Sequence, residues 1–152
     1  MISNNIDIKL WVKMDQVNTL IRKARSLELK KCGVTMPEGE VLYILTSQNK
    51  DLTLAEIAQW NCRELNSVLI RVNKMVKKGL VKKSRSAGGR ESKIIITEKG
   101  RTLYENVTFE AIRMIFEVTS KKEKEQLLTF LNKLDERTRE LLGMNFRPLF
   151  LL

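Results

Sequence analysis

The sequence has no histidine and only two cysteines among its 152 residues. Without histidine the chain cannot assemble the Ser-His or Cys-His pairs that serve many nucleophilic enzymes. Two cysteines alone are also too few for a zinc site, which usually takes three or four protein ligands. No pairing of Asp and Glu residues suggests carboxylate chemistry. We therefore expect a protein that is not an enzyme and that has neither a metal site nor a cofactor.

Long apolar runs are also missing. The longest, such as residues 41–45, are far too short to cross a bilayer, and the first residues lack the basic start and apolar segment of a signal peptide. Two cysteines do not form the disulfide framework of a small secreted domain. We expect a cytoplasmic protein without a membrane partner. Cys32 and Cys62 are interpreted as packing residues; a redox role for Cys32, which follows two lysines, is the alternative.

Positive charge, in contrast, is abundant and localised. The formal net charge is +10, and residues 71–101 contain eleven Lys or Arg against two acidic residues, whereas the rest of the chain is close to neutral. Such a cluster is typical of a surface that binds a polyanion; a solvated basic face is the alternative. Aromatic residues make up 6% of the chain, and none lies between positions 87 and 103. The base-stacking surface that binds single strands is therefore not indicated.

Helical spacing and capping signals mark the starts of several helices along the chain. Apolar residues recur every three or four positions from Ile6 to about Leu29. The sequences TMPE, TLAE and SKKE, beginning at Thr35, Thr53 and Ser120, each match a capping box, in which a hydroxyl and a glutamate satisfy the first N–H groups of a helix. They predict helices from about 35 to 48, from 53 to 60 and from 120 onward. A fourth helix, at 66–78, follows from its spacing.

The remaining segments predict a hairpin and two long helices. Residues 80–84 and 92–97 suit two strands, and the glycines between them suit a tight tip. The strands follow three short helices, which is the order of a winged helix-turn-helix, so the predicted fold is mainly α with a small β-hairpin wing. Helices are predicted at about 98–118, apolar on two faces, and at 121–142, with a leucine stripe. These faces exceed what one small domain needs to cover, so they suggest dimerisation; an intrachain bundle is the alternative.

Three segments in this order, LTLAEIA, KKGLV and ITEKG, give the chain a resemblance to the MarR family of transcriptional regulators. With its flanking helices the resemblance covers nearly the whole chain. It implies a homodimer that binds a pseudo-palindromic operator in double-stranded DNA, usually as a repressor. It also implies an N-terminal dimerisation helix at 1–33, a DNA-binding region at 34–98 and C-terminal dimerisation helices at 99–152. Many relatives bind a small effector, whose identity nothing in this sequence indicates. A winged-helix module for protein or RNA binding is the alternative function.

The predicted sites follow from these assignments, with the recognition helix at 66–78 and the wing at 82–97. Asn66 and Ser67 are expected to reach bases or phosphates, and simple N-terminal capping is their alternative role. The full set of predicted DNA-binding residues is Arg63, Asn66, Ser67, Ile70, Arg71, Asn73, Lys74, Lys77, Lys83, Arg85, Arg90 and Lys93. The predicted dimerisation residues are Leu10, Met14, Val17, Ile112, Phe116, Leu127, Leu131, Leu134, Leu141, Phe146 and Leu149.

Two positions depart from the pattern of the family. Ile70 stands where a polar residue is usual, so either it touches a thymine methyl group or the helix is slightly rotated in its packing. Arg71 beside it is expected either to read DNA or to pack along its stem. At the wing tip, Gly88 replaces the usual aspartate that would brace Arg90. We expect a poorly ordered tip in the DNA-free protein. We also expect Arg90→Ala to weaken DNA binding without affecting the fold or the dimer.

Overall fold

The computed structural model describes residues 5–85 and 92–144, and within these ranges it has seven helices and one three-stranded sheet. The predicted fold class, mainly α with a small β-hairpin wing, is confirmed. The helices are α1 (Ile6–Lys31), α2 (Met36–Gln48), α3 (Leu54–Trp60), α4 (Leu65–Lys77), α5 (Glu98–Glu105), α6 (Glu110–Phe116) and α7 (Lys121–Leu141). The strands are β1 (Leu52–Thr53), β2 (Val81–Arg85) and β3 (Ser92–Ile96).

All three predicted capping boxes are present. At the start of α2 the hydroxyl of Thr35 accepts from the Glu38 N–H at 3.4 Å, and the Glu38 carboxylate accepts from the Thr35 N–H at 2.9 Å. Thr53 opens α3 and Ser120 opens α7 with the same reciprocal pair of bonds. Because each box satisfies two N–H groups that have no partner inside the helix, these sequence signals locate three of the helix starts.

The sheet has the order β1-β3-β2, and both pairings are antiparallel. Ile94 lies at its centre, opposite Leu52 of β1 and Lys83 of β2, and it is fully buried. The predicted hairpin of β2 and β3 is therefore confirmed, and Ile94 attaches it to the domain. Strand β1 was not predicted, because two residues are too few to show an alternating pattern.

One core joins α2, α3, α4, the sheet and α5. Val41, Leu42 and Leu45 of α2 point into this core and are at most 2% exposed. Tyr104 of α5 and Val107 after it belong to the same core, and so does Leu29 near the end of α1. The core therefore extends beyond the winged helix on both sides and anchors the ends of the flanking helices to it.

The single helix predicted at 98–118 is wrong, because the chain breaks it into α5 and α6. Asn106 ends α5, and the first N–H groups of α6 are satisfied from a different helix: Glu28 Oε1 of α1 accepts from the backbone N–H of Glu110 at 2.8 Å and of Ala111 at 3.3 Å. The same oxygen accepts from the Thr108 hydroxyl at 2.6 Å. A carboxylate that is distant in sequence thus compensates the broken helix.

Buried Arg25 completes this junction between α1 and the break. Its guanidinium pairs with Glu28, donates to the backbone oxygen of Thr108 and lies 4.2 Å from the centre of the Phe109 ring. Burial alone would raise the pKa of Glu28, but the bonds from Thr108, Arg25 and Ala111 outweigh it and lower that pKa. The pair is therefore charged and hydrogen-bonded, as burial of an ion pair requires.

A second junction joins the end of α4 to the start of α5. The Thr97 hydroxyl accepts from the Gly100 N–H at 3.0 Å and lies 2.6 Å from the backbone oxygen of Gly79, to which it donates. Gly79, with a φ of +71°, turns the chain after α4 in a conformation that favours glycine. A Cβ atom at Gly100 would lie 2.1 Å from the backbone oxygen of Leu80, so only glycine fits at this contact.

The faces of α1, α6 and α7 carry large apolar side chains that the single chain leaves exposed. Among the predicted dimerisation residues, Ile112 and Phe116 are partly buried, and Phe146 and Leu149 lie outside the described residues. The others are 39–70% exposed: Leu10, Met14, Val17, Leu127, Leu131, Leu134 and Leu141. No helix in the described ranges is long and apolar enough to span a membrane.

The two cysteines differ in their surroundings. Cys32 is partly buried and packs against the core, as predicted. Cys62 is exposed, so its interpretation as a packing residue is wrong: its positive φ of 49° belongs to the turn between α3 and α4, which lies at the surface. Its Sγ atom is 3.6 Å from Nη2 of buried Arg139, which connects this turn to the end of α7.

Candidate nucleic-acid interface

Helix α4 separates an apolar face from a polar face. Val68, Val72 and Met75 have no exposed surface and hold the helix against the core. The opposite face is exposed and carries predicted DNA-binding residues: Asn66, Ser67, Ile70, Asn73, Lys74 and Lys77. A helix with this division can enter a major groove with its polar face without uncovering the core.

The start of α4 leaves two polar side chains available. Its N-cap is Glu64, which makes no side-chain cap bond, so Asn66 and Ser67 occupy the second and third helical positions. Neither residue is the N-terminal cap, which removes the alternative role that the sequence allowed. Both side chains are exposed, at the end of the helix where N–H groups without helical partners favour an anion.

The wing strand β2 extends this polar face. Lys82, Lys83 and Arg85 are exposed, and Lys83 Nζ donates to Oδ1 of Asn73 on α4 at 2.7 Å. This bond joins the recognition helix to the wing. On β3, Lys93 Nζ lies 3.5 Å from Oε2 of Glu56, at the start of α3. The predicted tip residue Arg90, with its expected mobility, lies outside the described residues.

Two predicted arginines lie beside an acidic residue that the sequence analysis did not select. Glu40 on α2 accepts from Nη1 of Arg22 at 2.8 Å, its Oε2 lies 3.6 Å from Nη1 of Arg71, and its Oε1 lies 4.0 Å from Nη2 of Arg63. The Arg71 side chain is 15% exposed, whereas that of Arg63 is 46% exposed. Burial is the main cause that lowers the pKa of Arg71; Glu40 opposes it, and the cations Arg63 and Arg22 add to it.

A groove of about 350 Å³ lies between α4 and the start of α2. Ser67, Ile70, Arg71 and Lys74 line its recognition-helix side, and Thr35 lies on the α2 side. At one end Lys78 Nζ lies 2.7 Å from Oε1 of Glu38, so this cation already has an opposite charge. The groove therefore brings together four of the predicted DNA-binding residues, whereas Asn73, Lys83 and Arg85 face the wing side.

A second cavity, of about 330 Å³, lies between α1, α2, α5 and α6. Its lining is mostly apolar and aromatic, with Tyr43, Tyr104 and Phe109, and Arg25 and Glu40 are its charged residues. The sequence did not identify it, because its walls come from four separate helices and from the break at 106–109. In the described ranges no group of three or more Cys, Asp or Glu side chains is arranged to hold a metal ion.

Comparison with known proteins bears on this interface. Residues 34–100 match the family model of a winged helix DNA-binding domain. No curated protein sequence matches the chain significantly. Among solved structures, an organohalide-sensing transcriptional regulator has a TM-score of 0.83 at 23% identity, over 95% of this chain and 89% of that chain. The same regulator is also known in a form with bound 2,4-dichlorophenol.

Two other solved structures give the same fold. AbsC, a MarR-family transcriptional regulator from Streptomyces coelicolor, has a TM-score of 0.82 at 19% identity, over 90% of this chain and 97% of that chain. MepR from Staphylococcus aureus, in complex with DNA, has a TM-score of 0.77 at 22% identity, over 84% and 96% of the two chains. The chain therefore carries a winged-helix DNA-binding domain. The described residues share the fold of solved MarR-family transcriptional regulators, which is the fold that the resemblance in the sequence implied.

Proposed function

We propose that this protein is a sequence-specific transcriptional regulator that binds double-stranded DNA as a homodimer in the cytoplasm, and that it acts as a repressor at a pseudo-palindromic operator. One observation carries the proposal. The apolar face of α4 is fully buried, and its opposite face presents Asn66, Ser67, Asn73 and Lys74 beside the basic strand β2. Such a helix reads base edges in a major groove, while the wing reaches the adjacent minor groove.

Roles on this surface follow from exposure and chemistry. Asn66, Ser67 and Asn73 carry the amides and hydroxyl that recognise base edges, and Ile70, which is 59% exposed, would contact a thymine methyl group. Lys74, Lys77, Lys83, Arg85 and Lys93 would contact phosphates, and Arg90 would enter or lie beside the minor groove. Arg63 and Arg71 differ from these residues, because they share the carboxylate of Glu40 in the free protein.

The homodimer is supported by the exposed apolar faces of α1, α6 and α7. A soluble monomer seldom leaves so many neighbouring large apolar side chains in water. A two-fold arrangement buries the same face of each copy and places two recognition helices about 34 Å apart, one turn of B-DNA. The cavity beside Tyr104 supports a small aromatic effector, and a regulator of the same fold has been solved with 2,4-dichlorophenol.

The test of DNA binding is selection of bound sites from a random duplex library, followed by titrations of the selected site at several salt concentrations. We expect Asn66→Ala to lower discrimination at one base position by about 1–3 kcal/mol. We expect Lys74→Ala to weaken binding to every duplex and to reduce the salt slope by about 1. Lys122→Ala, which removes the same charge from α7, is the matched control.

Two outcomes would reject the proposal. The first is a scrambled duplex that competes as well as the selected site, which would leave only non-specific binding. The second is an RNA hairpin or a protein partner that binds more tightly than any duplex, which would favour the alternative winged-helix module. Either result would need to be obtained with a folded protein that retains its α-helical circular dichroism.

A further inference from the structure

Glu40 lies within 4.0 Å of three arginines beside the recognition helix. Its nearest partner is Arg22 of α1, with Arg71 of α4 at 3.6 Å and Arg63 of the preceding turn at 4.0 Å. One carboxylate is therefore shared by three arginines, and Glu38 adds a weaker attraction for Arg71. Because Arg63 and Arg71 belong to the DNA-binding half, Glu40 determines where two of its cations lie in the free protein.

The contact between Glu40 and Arg71 is close but poorly bonded. Arg71 Nη1 and Glu40 Oε2 are both buried, and neither has a hydrogen-bond partner within the described residues. A buried guanidinium is held mainly by the opposite charge beside it, and loss of that charge leaves the guanidinium to find another acceptor. Arg71 also lines the open groove with Ser67, Ile70 and Lys74, where phosphate oxygens would be such acceptors.

We propose that Glu40 withholds Arg71 and Arg63 from DNA, and that it thereby limits non-specific binding and sets the salt dependence of the protein. The part of this inference that concerns duplex DNA rests on the function proposed above, whereas the withholding of two cations applies to any polyanion. With Glu40 present, the groove side of α4 offers few free cations and many base-reading groups. Without it, two arginines become available for phosphate contacts that carry no sequence information.

Glu40→Gln tests the inference, because the amide retains the shape of the side chain and removes its charge. Its matched control is Glu64→Gln, which removes an equal charge at the start of α4 from a residue that makes no side-chain cap bond. We expect Glu40→Gln to steepen the slope of log K against log salt for a random duplex by about 1 to 2 more than the control does. The discrimination between selected and random duplex should fall several-fold.

Elution from a heparin column separates this inference from the proposed function. We expect Glu40→Gln to elute at a higher salt concentration than Glu64→Gln, and the difference to disappear when Arg63→Met and Arg71→Met are added. Heparin is a polyanion without base sequence, so this result would stand even if the protein did not prefer any duplex. If the protein binds all duplexes equally well, the proposed function is rejected, but the inference about Glu40 is not.

Three results would overturn the inference. The first is an equal salt slope and an equal elution position for Glu40→Gln and Glu64→Gln. The second is a steeper salt slope of Glu40→Gln that persists after Arg63 and Arg71 are replaced by Met. The third result does not depend on the folding of a Glu40 variant. With Glu40 intact, we expect Arg71→Met to leave the salt slope unchanged while Lys74→Met lowers it by about 1; equal losses would show that Arg71 already contacts the polyanion.

Discussion

The winged-helix half of the molecule, α2 to α5 with the sheet, differs sharply from the helical lobe of α1, α6 and α7. In the winged-helix half, apolar side chains such as Val41, Val68 and Ile94 have no exposed surface. In the lobe, Leu134 is 50% exposed and Trp11 is 70% exposed, although both belong to apolar stripes. The winged-helix half thus completes its core within one chain, whereas the lobe has an apolar surface that one chain leaves uncovered.

This difference indicates that the two regions are stabilised in different ways. Burial within one chain contributes a free energy of unfolding that does not depend on protein concentration. Burial between two copies contributes a free energy that rises with concentration, because association is coupled to folding. Substitutions in the two regions should therefore differ in how their effects respond to concentration.

The largest expected effect comes from breaking the proposed interface of the lobe. Leu131→Lys combined with Leu134→Lys places charges in the apolar stripe of α7, and should weaken the dimer by on the order of 5 kcal/mol or more. Light scattering at micromolar concentration should then give the mass of one chain. Gln126→Lys, at a polar exposed position of the same helix, should leave the dimer intact. A wild-type protein that is already monomeric would refute the interface itself.

Gly100→Ala tests the junction inside the winged-helix half. The new Cβ atom would approach the Leu80 oxygen within 2.1 Å, so the backbone must shift, and we expect a loss of about 3 kcal/mol in the free energy of unfolding. Urea denaturation at two protein concentrations measures this loss and should give the same value at both.

Gly33→Ala is the control for that substitution. Gly33 has a φ of +72° and open space around its Cβ position, so alanine there costs only the backbone strain, about 1–2 kcal/mol. An equal loss at the two glycines would show that the close approach at Gly100 costs no more than the backbone strain at Gly33.

Glu28→Ala sharpens the comparison at the boundary between the two regions. It removes the acceptor for three hydrogen bonds at the α5–α6 break and leaves the buried Arg25 without its carboxylate. We expect a loss of about 2 kcal/mol in the free energy of unfolding. Hydrogen exchange should show faster opening of α6 than of α4. Glu105→Ala, at an exposed position of α5, is the control, and equal protection of α6 in the two variants would contradict the role given to Glu28.

The smallest effect is a pH dependence within the winged-helix half. Burial would raise the pKa of Glu38, but the bonds from Lys78 and Thr35 lower it below its ordinary value of 4.5. A lowered folded-state pKa stabilises the protein above pH 4.5, and this stabilisation is lost as the pH falls through the folded-state pKa. The free energy of unfolding should decrease between pH 5 and 3, and the decrease should be smaller in Glu38→Gln, by at most about 1 kcal/mol.

In Glu38→Gln the amide can still serve the capping box, so the variant isolates the charge from the cap. Glu105→Gln is the matched control on an exposed residue of α5. Urea unfolding repeated at each pH gives the free energy of unfolding as a function of pH. If both variants give the same curve as the wild type, the bonds to Glu38 do not contribute to the pH dependence.

Much of the winged-helix half could be predicted from the sequence because its signals are local. The boxes at Thr35 and Thr53 mark helix starts within four residues, and the spacing of Val68 and Val72 identifies the buried face of α4. The break after α5 was not predictable in this way. The first N–H groups of α6 are satisfied by Glu28, which lies about 80 positions earlier in the chain. Because this partner is not local, the apolar periodicity alone favoured one continuous helix.

The same reason explains what was missed at the candidate interface. Arg71 looks like any other cation of the basic cluster, and only the fold places Glu40 beside it. The exposed face of α4, by contrast, follows from its helical spacing, and Asn66, Ile70 and Lys74 lie on it as predicted. Sequence thus identified the residues that point away from the core, whereas their ion-pair partners depend on contacts between distant segments.

The break at residues 106–109 also offers a crossover point for building chimeric regulators. Glu28 and Arg25 of α1 make the hydrogen bonds that hold this connection, so α1 and α6 would have to be transferred together from one parent. A cassette of α1, α6 and α7 could then replace the lobe of a relative, while α5 with Tyr104 stays with the DNA-binding parent. Arg22 and Leu29 of α1 also contact the winged-helix half, so a chimera would have to match these contacts as well.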